Sequence, residues 1–283
     1  MVIYNGKNSR NKSLWKDEPT HSGSVIFFGD KNQLQLRGRL GGRTNCSCAR
    51  RLGGRTVYFL IDTGANVSVV SMDIVQACGL SSSVDTEESL VILGDDGQRT
   101  PQVLGVLKAF VYCQGVELRP YFAVVDQNLQ CILGMDVIRP YCSCLVLSPE
   151  RPLMQLKTPT SALKSMMSPS LRVECVVNGR MTEALVDTGA NCSFISLDLV
   201  HELGLQFEES SLQGFQTIKG ISPMFGIVRC VTVALLGQVF TLEMKVEHSK
   251  DKITVGLDAL LGFTLCFDED ADRLIDSSSS VSF

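Results

Sequence analysis

FLIDTGANVSVVSMDIVQACGL, residues 59–80, aligns without a gap on ALVDTGANCSFISLDLVHELGL, residues 184–205, and this pair decides the fold of the 283-residue chain. Each segment carries Asp-Thr-Gly-Ala-Asn after a short apolar run, and the aspartates Asp62 and Asp187 are 187 − 62 = 125 positions apart. One Asp-Thr-Gly is a weak signal, because an Asx-turn uses the same residues. Turn chemistry does not require the matched flanks, so the sequence predicts a tandem duplication of one structural unit.

A second repeated pair follows these segments. Ile-Leu-Gly-Met-Asp at residues 132–136 corresponds to Thr-Val-Gly-Leu-Asp at residues 254–258, with an offset of 256 − 134 = 122 positions. The two similar offsets mean that the whole unit, and not the turn alone, is duplicated.

Around each repeated aspartate the pattern predicts a strand, a tight turn and a helix. The apolar run before the aspartate suits a buried strand, and Gly64 and Gly189 suit a turn that presents the carboxylate. The helix signals that follow are a serine N-cap, an aspartate in the first turn and a glycine stop, at Ser71, Asp73 and Gly79 and again at Ser196, Asp198 and Gly204.

This order of elements resembles the retropepsin-like aspartic proteases over most of the chain. The first copy is most similar to retrotransposon and retroviral proteases, with residues 90–105 at the flap position and residues 122–138 before the closing helix. The second is similar to the cellular branch of DNA-damage-inducible and nuclear-receptor-interacting proteins, in residues 171–191 and 255–263. The resemblance implies an all-β fold with two retropepsin-like (acid protease) lobes, each a small closed β-barrel with one or two short helices, related by a pseudo-two-fold axis.

The resemblance also implies an active site between the lobes, with Asp62 and Asp187 as its catalytic residues. The supporting active-site turns would be Thr63, Gly64 and Ala65 in the first lobe and Thr188, Gly189 and Ala190 in the second. The flap would comprise Gly94, Asp95, Asp96, Gly97 and Gln98. The two threonines would brace the pair by hydrogen bonds across the two-fold axis, although each also suits an ordinary strand end.

The flaps are expected to differ in length. The span from Gly94 to Gly105 is 105 − 94 = 11 positions, whereas the aligned span from Gly220 to Gly226 is 226 − 220 = 6. A shortened second hairpin would leave the first to close most of the cleft over an extended peptide. The alternative is that this loop is misaligned.

Such a site would hydrolyse peptide bonds. Two adjacent carboxylates cannot both ionise, so one acts as an acid and the other as a base on a bound water. The expected activity is that of an aspartic endopeptidase on a polypeptide substrate in extended conformation, with no cofactor and no metal. Ala65 and Ala190 lack a hydroxyl that could stabilise the carboxylates, so a less acidic optimum is expected than where Ser or Thr follows the glycine. The lobes are expected to pair within one chain, and a homodimer is the alternative.

A competing interpretation is a catalytically silent protease-fold module that binds protein partners. Leu257, Leu260 and Leu261 match the LxxLL pattern that amphipathic helices place in nuclear-receptor grooves, and the branch that the second copy resembles contains receptor-interacting members. Thr254 also departs from the aliphatic residue usual before Val255-Gly256. We prefer a core role for these leucines, because they fall on the closing helix.

Composition limits the partners and the location. The formal net charge of −4 offers no electrostatic footprint for nucleic acid, and the local arginines between residues 37 and 55 are interpreted as solvated. No apolar run is long enough to span a membrane, and residues 1–19 lack the apolar core of a signal peptide. The expected location is the cytoplasm, with the nucleus as the alternative.

The eleven cysteines fit a reducing compartment, since most lie among apolar neighbours. Cys46-Ser-Cys48 and Cys142-Ser-Cys144 could be drawn as a four-thiolate metal site. Their spacing of one residue is shorter than the two to four usual in zinc sites, so no metal is expected.

The predicted domains are a flexible N-terminal extension (1–33), lobe 1 (34–148), a linker (149–170), lobe 2 (171–275) and a disordered tail (276–283). Arg-Leu-Gly-Gly-Arg-Thr occurs at residues 39–44 and again at residues 51–56, as though 51 − 39 = 12 residues had been duplicated. Deleting one copy would leave a hairpin of the usual length before the first Asp-Thr-Gly, so the register of the first strand stays open.

Overall fold

The computed structural model describes residues 24–25, 27–28, 33–42, 55–88, 102–113, 116–126, 130–157, 168–209, 215–217, 220–268 and 272–276. The strands of the first half are β1 (Ser24–Val25), β2 (Phe27–Phe28), β3 (Leu34–Gly42), β4 (Arg55–Ile61), β5 (Val69–Ser71), β6 (Val84–Asp85), β7 (Val103–Cys113), β8 (Val116–Leu118), β9 (Tyr121–Val125), β10 (Cys131–Leu133), β11 (Cys142–Val146) and β12 (Leu153–Leu156). Its helices are α1 (Met72–Ala77) and α2 (Met135–Tyr141), with a 3₁₀ turn at Ser81–Ser83.

The strands of the second half are β13 (Arg172–Val177), β14 (Arg180–Val186), β15 (Phe194–Ser196), β16 (Glu208–Glu209), β17 (Phe215–Thr217), β18 (Gly220–Ser222), β19 (Gly226–Leu235), β20 (Gln238–Glu247), β21 (Ile253–Val255), β22 (Phe263–Phe267) and β23 (Asp272–Asp276). Its helices are α3 (Leu197–Glu202) and α4 (Leu257–Leu260). None of the described helices is long and apolar enough to span a membrane.

Each lobe is a closed barrel of six strands. In the first lobe the strands run in the order β3-β4-β10-β5-β9-β7, and β7 pairs back with β3. In the second lobe the order is β13-β14-β21-β15-β20-β19, and β19 pairs back with β13. The alternation of apolar and polar residues therefore yields the predicted all-β fold of two retropepsin-like barrels with few short helices, which is confirmed.

The barrel interiors are filled by the inward-facing side chains of these strands. In the first lobe, Phe59 on β4 and Phe122 on β9 are fully buried, and their rings stack with centroids 6.0 Å apart. In the second lobe, β19 and β20 carry buried Val231, Val233 and Met244. These cores brace the strands that end at the two repeated turns.

A five-stranded sheet joins the lobes, in the order β1-β12-β11-β22-β23. The seam between the lobes is the antiparallel pairing of β11 with β22. Beside it, Arg139 on α2 forms an ion pair with Asp272 on β23. The lobes are thus connected by continuous backbone pairing far from the repeated turns.

The register of β3 shows where the extra twelve residues lie. Leu40 pairs with Arg55, 55 − 40 = 15 positions later, whereas in the second lobe Val177 pairs with Arg180, 180 − 177 = 3 positions later. The difference of 12 equals the offset between the two copies of Arg-Leu-Gly-Gly-Arg-Thr. The insertion is therefore confined to the connection of the hairpin, and the inward-facing set of side chains is preserved.

The repeated helices begin and end where the sequence predicts. Ser71 and Ser196 are the N-cap residues of α1 and α3, and the side chain of Ser196 accepts a hydrogen bond from the N–H of Leu199 at 3.1 Å. The predicted stops, Gly79 and Gly204, have φ angles of +69° and +62°. This left-handed conformation favours glycine and ends each helix.

Three short strands differ from the sequence expectation. β1 and β2 lie within the stretch expected to be a flexible extension, and β12 lies within the expected linker. The physical reason is that β12 pairs with β11, and β1 pairs with β12 at the edge of the interlobe sheet. Ser24 on β1 pairs with Met154, which is 154 − 24 = 130 positions later, whereas β12 and β2 pair with the nearby β11 and β3. Residues 158–167 of the linker and 277–283 of the tail lie outside the described residues.

The hairpin in the flap position of the second lobe is also corrected. It is formed by β17 and β18, with Phe215 opposite Ser222 and Thr217 opposite Gly220. Gly220 therefore begins the second strand of the hairpin, and the span from Gly220 to Gly226 is not its tip. The aligned glycines misplace the loop, because hairpin position is set by strand pairing and not by glycine spacing.

Candidate active site

Each repeated aspartate directly follows the carboxyl end of a barrel strand, β4 for Asp62 and β14 for Asp187. The N–H of Asp62 donates to the carbonyl of Leu133 at 3.1 Å, and the N–H of Asp187 donates to the carbonyl of Val255 at 3.0 Å. The acceptors belong to β10 and β21, which run parallel to β4 and β14. Both aspartates are buried, with exposed fractions of 0% and 1%. The duplicated sequence thus places two carboxylates in matched backbone positions.

The turns of the two lobes pack directly on each other. A Cβ atom added at Gly64 would lie 2.6 Å from Cγ of Asp187, and one added at Gly189 would lie 2.5 Å from Cγ of Asp62. Any side chain would therefore displace the carboxylate of the opposite lobe. The glycines allow this close approach of the two turns.

The adjacent threonines lock the turns together. Thr63 Oγ1 donates to the carbonyl of Val186 at 2.7 Å and accepts from the N–H of Thr188 at 3.1 Å. Thr188 Oγ1 donates to the carbonyl of Ile61 at 2.8 Å and accepts from the N–H of Thr63 at 3.2 Å. Both side chains are fully buried. These four reciprocal bonds cross between the lobes. The threonines therefore brace the two turns against each other and are not ordinary strand-end residues.

The surroundings of the two carboxylates favour a shared proton. Asp62 Oδ1 accepts a hydrogen bond from the N–H of Ala65 at 2.9 Å, and Asp187 Oδ1 accepts one from the N–H of Gly189 at 2.8 Å. Burial, and then the neighbouring charge of Asp187, raise the pKa of Asp62 well above its usual range. One protonated and one ionised carboxyl group is therefore the favoured state of the pair.

A second layer of side chains supports the turn in the first lobe. Ser68 Oγ donates to Asp136 Oδ1 at 2.8 Å and accepts from the N–H of Gly134 at 3.0 Å. The N–H of Met135 donates to the carbonyl of Ala65 at 2.8 Å, which ties the start of α2 to the turn. Asp136 is 4% exposed, and burial raises its pKa to about 7.

The second lobe repeats this layer. Asp258 accepts from both the Oγ of Ser193, at 2.7 Å, and the N–H of Ser193, at 2.9 Å. Ser193 Oγ accepts from the N–H of Gly256 at 3.1 Å. Burial of the carboxyl group raises the pKa of Asp258 as well, although the residue as a whole is exposed.

Sequence reasoning missed these serine–aspartate pairs, although the signal was present. Asp136 and Asp258 are part of the second repeated pentapeptide, and Ser68 and Ser193 occupy the same place in the first repeat. All four residues lie at equivalent positions of the two copies, but nothing local in the sequence shows that the serine and the aspartate contact each other. A polar residue repeated at both places predicts a pair that connects the turn to the closing helix.

The segment before β13 also contacts the turn of the first lobe. The N–H of Ser168 donates to the carbonyl of Asn66 at 3.0 Å, and Ser170 Oγ donates to the carbonyl of Gly64 at 3.2 Å. Ser170 also bonds the side chain of Asn66. The chain entering the second lobe is therefore fixed to the turn of the first.

Part of the predicted site lies outside the described residues. The flap residues Gly94, Asp95, Asp96, Gly97 and Gln98 are not among the described residues, and neither are Cys46 and Cys48. Within the described ranges, no group of three or more His, Cys, Asp or Glu side chains could hold a metal ion.

The LxxLL segment is mostly part of the core. Leu257 and Leu260 are 4% and 0% exposed, and Leu261 is 38% exposed. A groove-binding helix would have to present all three leucines on its surface. The two buried side chains favour packing of α4 in its own lobe.

Comparison with known families agrees with this architecture. Residues 49–140 match the family described as "gag-polyprotein putative aspartyl protease", and residues 173–263 match the family described as "Aspartyl protease". The DNA damage-inducible protein 1 of Neurospora crassa is 30% identical over 99 residues, which are 34% of this chain and 22% of that protein. The chain thus covers less than a quarter of that relative's length. Because both halves match aspartyl protease families and fold as closed barrels around matched turns, the chain belongs to the retropepsin-like aspartyl proteases, as a member with two copies in tandem.

Proposed function

We propose that the chain is an aspartic endopeptidase whose single site is shared by its two lobes. The observation that supports this most directly is the approach of the two buried aspartates, each packed on the glycine of the opposite turn. Two buried carboxylates side by side destabilise the fold, because each loses its hydration and they repel each other. A chain without catalysis would have no reason to retain both.

The proposed reaction uses a water between the two carboxylates. The ionised aspartate accepts a proton from this water, and the water oxygen attacks the carbonyl carbon of the scissile peptide bond. The protonated aspartate donates its proton to the carbonyl oxygen, so a neutral tetrahedral intermediate forms. Proton transfer to the amide nitrogen then allows the C–N bond to break. The raised pKa of Asp62 supports its role as the proton donor at the start of the cycle.

The threonine bonds support this chemistry by positioning. Each threonine holds the backbone that precedes the opposite aspartate, since the acceptors are the carbonyls of Ile61 and Val186. A carboxylate pair fixed in this way needs little reorganisation when charge moves between its members.

We further propose that the active form is a monomer. Both halves of the site belong to one chain, and a second set of contacts joins the lobes through β11 and β22. Sedimentation in dilute solution should show a compact species near 30.9 kDa. A tight dimer that loses activity when it dissociates would contradict this arrangement. A cytoplasmic location is part of the same proposal, and imaging of a tagged chain would test it.

The activity is tested by digestion of a peptide library at several pH values, with and without a transition-state inhibitor of aspartic proteases. We expect cleavage with a bell-shaped pH profile in the mildly acidic range, abolished by the inhibitor. Cleavage that resists the inhibitor, or that stops with a metal chelator, would contradict the mechanism. If a folded chain cleaves no peptide at any pH, the silent binding module becomes the better explanation.

A further inference from the structure

The seam between the lobes carries two cysteines that face each other. Cys144 on β11 belongs to the first lobe and Cys266 on β22 to the second, and the antiparallel register places them directly opposite. Both are free thiols in this structure. Neither contacts the turns of the active site, so the pair is separate from the proposed endopeptidase function.

The hydrogen-bond pattern of the seam brings these residues close. The N–H of Leu147 donates to the carbonyl of Phe263 at 2.9 Å, which marks this pair as hydrogen-bonded. Hydrogen-bonded and non-hydrogen-bonded pairs alternate along antiparallel strands, so Cys144 and Cys266, three positions along, form a non-hydrogen-bonded pair. Cα atoms in such pairs are about 4.5 Å apart, within the range of about 4.4–6.8 Å spanned by disulfides.

The two thiols differ in access. Cys144 is 3% exposed, and its Sγ donates to Gln155 Oε1 on β12 at 3.4 Å. Cys266 is partly exposed and lies beside Arg273 on β23. Burial raises the pKa of both thiols, and at Cys266 the charge of Asp268 adds to this shift while the nearby Arg273 opposes it. Cys266 is therefore the thiol that a soluble reagent reaches first.

We propose that Cys144 and Cys266 form a reversible disulfide that covalently joins the two lobes when the chain meets a small disulfide oxidant such as glutathione disulfide. The Cys266 thiolate attacks one sulfur of the oxidant, which forms a mixed disulfide and releases one glutathione thiolate. Cys144 then gives up its hydrogen bond to Gln155, loses its proton to solvent and attacks the Cys266 sulfur. The second glutathione leaves as a thiolate, so two protein thiols are oxidised and one glutathione disulfide is reduced.

This bond would restrict separation of the lobes. It closes a loop of 266 − 144 = 122 residues, and a cross-link across a long loop reduces the conformational freedom of the unfolded chain. The β11–β22 pairing is the contact through which the barrels share a sheet, so the bond locks the lobes in the paired state. An oxidant would thereby stabilise the assembled molecule against opening.

The test is peptide mapping of the full chain after incubation with glutathione disulfide, followed by alkylation of the remaining thiols without reduction. We expect one cross-linked pair of peptides, carrying Cys144 and Cys266, that disappears on treatment with dithiothreitol. Cys144→Ala and Cys266→Ala should each abolish it. Cys142→Ala is the matched control, since Cys142 is buried on the same strand but donates its thiol to the Cys144 carbonyl at 3.1 Å. That variant should still form the cross-link.

Thermal unfolding gives a second measurement on the unmodified sequence. Oxidation should raise the melting temperature by about 5 °C or more, and dithiothreitol should reverse the rise. A cross-link that maps to Cys142, glutathione that stays on Cys266 as a mixed disulfide, or no change in free thiols would each overturn the proposal. Because these results come from the unmodified chain, poor folding of an alanine variant does not affect them.

Discussion

In the first lobe the carboxyl group behind the active-site turn, Asp136, is almost fully buried and accepts from the hydroxyl of Ser68. In the second lobe the equivalent Asp258 is exposed, although its carboxyl group accepts from the hydroxyl and the N–H of Ser193 just as Asp136 accepts from those of Ser68. The turns in front of these pairs nevertheless exchange the same threonine hydrogen bonds in both directions. Copies of one unit therefore stay alike where they touch each other and differ where each packs only against itself.

The small apolar clusters beside the two turns show the same divergence. In the first lobe the cluster is entirely aliphatic: Leu60, Val67, Val69, Ala123, Val125 and Ile132. In the second lobe it contains Ala190, Phe194 and Met224, with Cys192 packed against them. The two copies therefore pack their turns against cores of different composition.

The largest effect predicted from the comparison of the two lobes is the loss of turnover on substitution of either aspartate. Asp62→Asn and Asp187→Asn should each reduce turnover by about 10³-fold or more, and the double variant should lose little further, because the acid and base roles are shared. Turnover of the three variants is measured at matched folding, checked by circular dichroism. Substantial activity in either single variant would mean that the lobes act in separate sites, each completed by another chain.

The threonine bonds should respond equally in the two lobes. Thr63→Val and Thr188→Val each remove a donor to a buried carbonyl and an acceptor for a buried N–H, so each should cost about 3 kcal/mol in the free energy of unfolding. Urea denaturation measures this cost. Thr→Ser at either position retains the hydroxyl and serves as the control. Unequal losses in the two valine variants would show that the interlobe contact is asymmetric.

Asp136 should make the stability of the first lobe depend on pH. Its pKa of about 7 in the folded state exceeds the ordinary aspartate pKa of 3.8, so the folded chain binds more protons than the unfolded chain between these values. The free energy of unfolding should therefore fall as pH rises through this window, by about 2 kcal/mol between roughly pH 5 and 7.5. Asp136→Asn should reduce this slope, and the remainder belongs to Asp62 and Asp258, whose pKa values burial also raises.

Asp258→Asn provides the comparison for that experiment. Burial also raises the pKa of Asp258, but the residue is exposed, so its substitution should flatten the profile less. Urea denaturation at the two pH values, on both variants and the parent chain, separates the contributions. If the two substitutions changed the pH dependence of stability equally, Asp136 and Asp258 would not differ in their contribution to it.

The smallest expected difference lies at the helix caps. Ser196→Ala should destabilise the chain by about 1 kcal/mol, because the side chain caps the N–H of Leu199. The hydroxyl of Ser71 is buried and makes no hydrogen bond among the described residues, so Ser71→Ala should change stability by only a few tenths of a kcal/mol. Denaturation of the two variants in parallel tests this, and a large loss at Ser71 would contradict the structure of its cap.

The sequence by itself determined those features that repeat locally. Alternating apolar residues, the Asp-Thr-Gly turns, the serine caps and the glycine stops each depend on neighbours a few positions away, so a linear pattern carries them. The resemblance to the retropepsin-like proteases added one longer-range inference, that Asp62 and Asp187 meet at a two-fold axis between the lobes.

Only the tertiary structure decided what depends on distant partners. The interlobe sheet recruits β1 and β12 from stretches without a strand pattern, and the pairing of Leu40 with Arg55 fixes the register that the duplicated hexapeptide left open. Burial of Asp136 depends on how α2 packs against the turn, and the opposition of Cys144 and Cys266 depends on how the last strands of the two lobes align. In each case the free energy of the assembled fold, and not the local sequence, selects the partner.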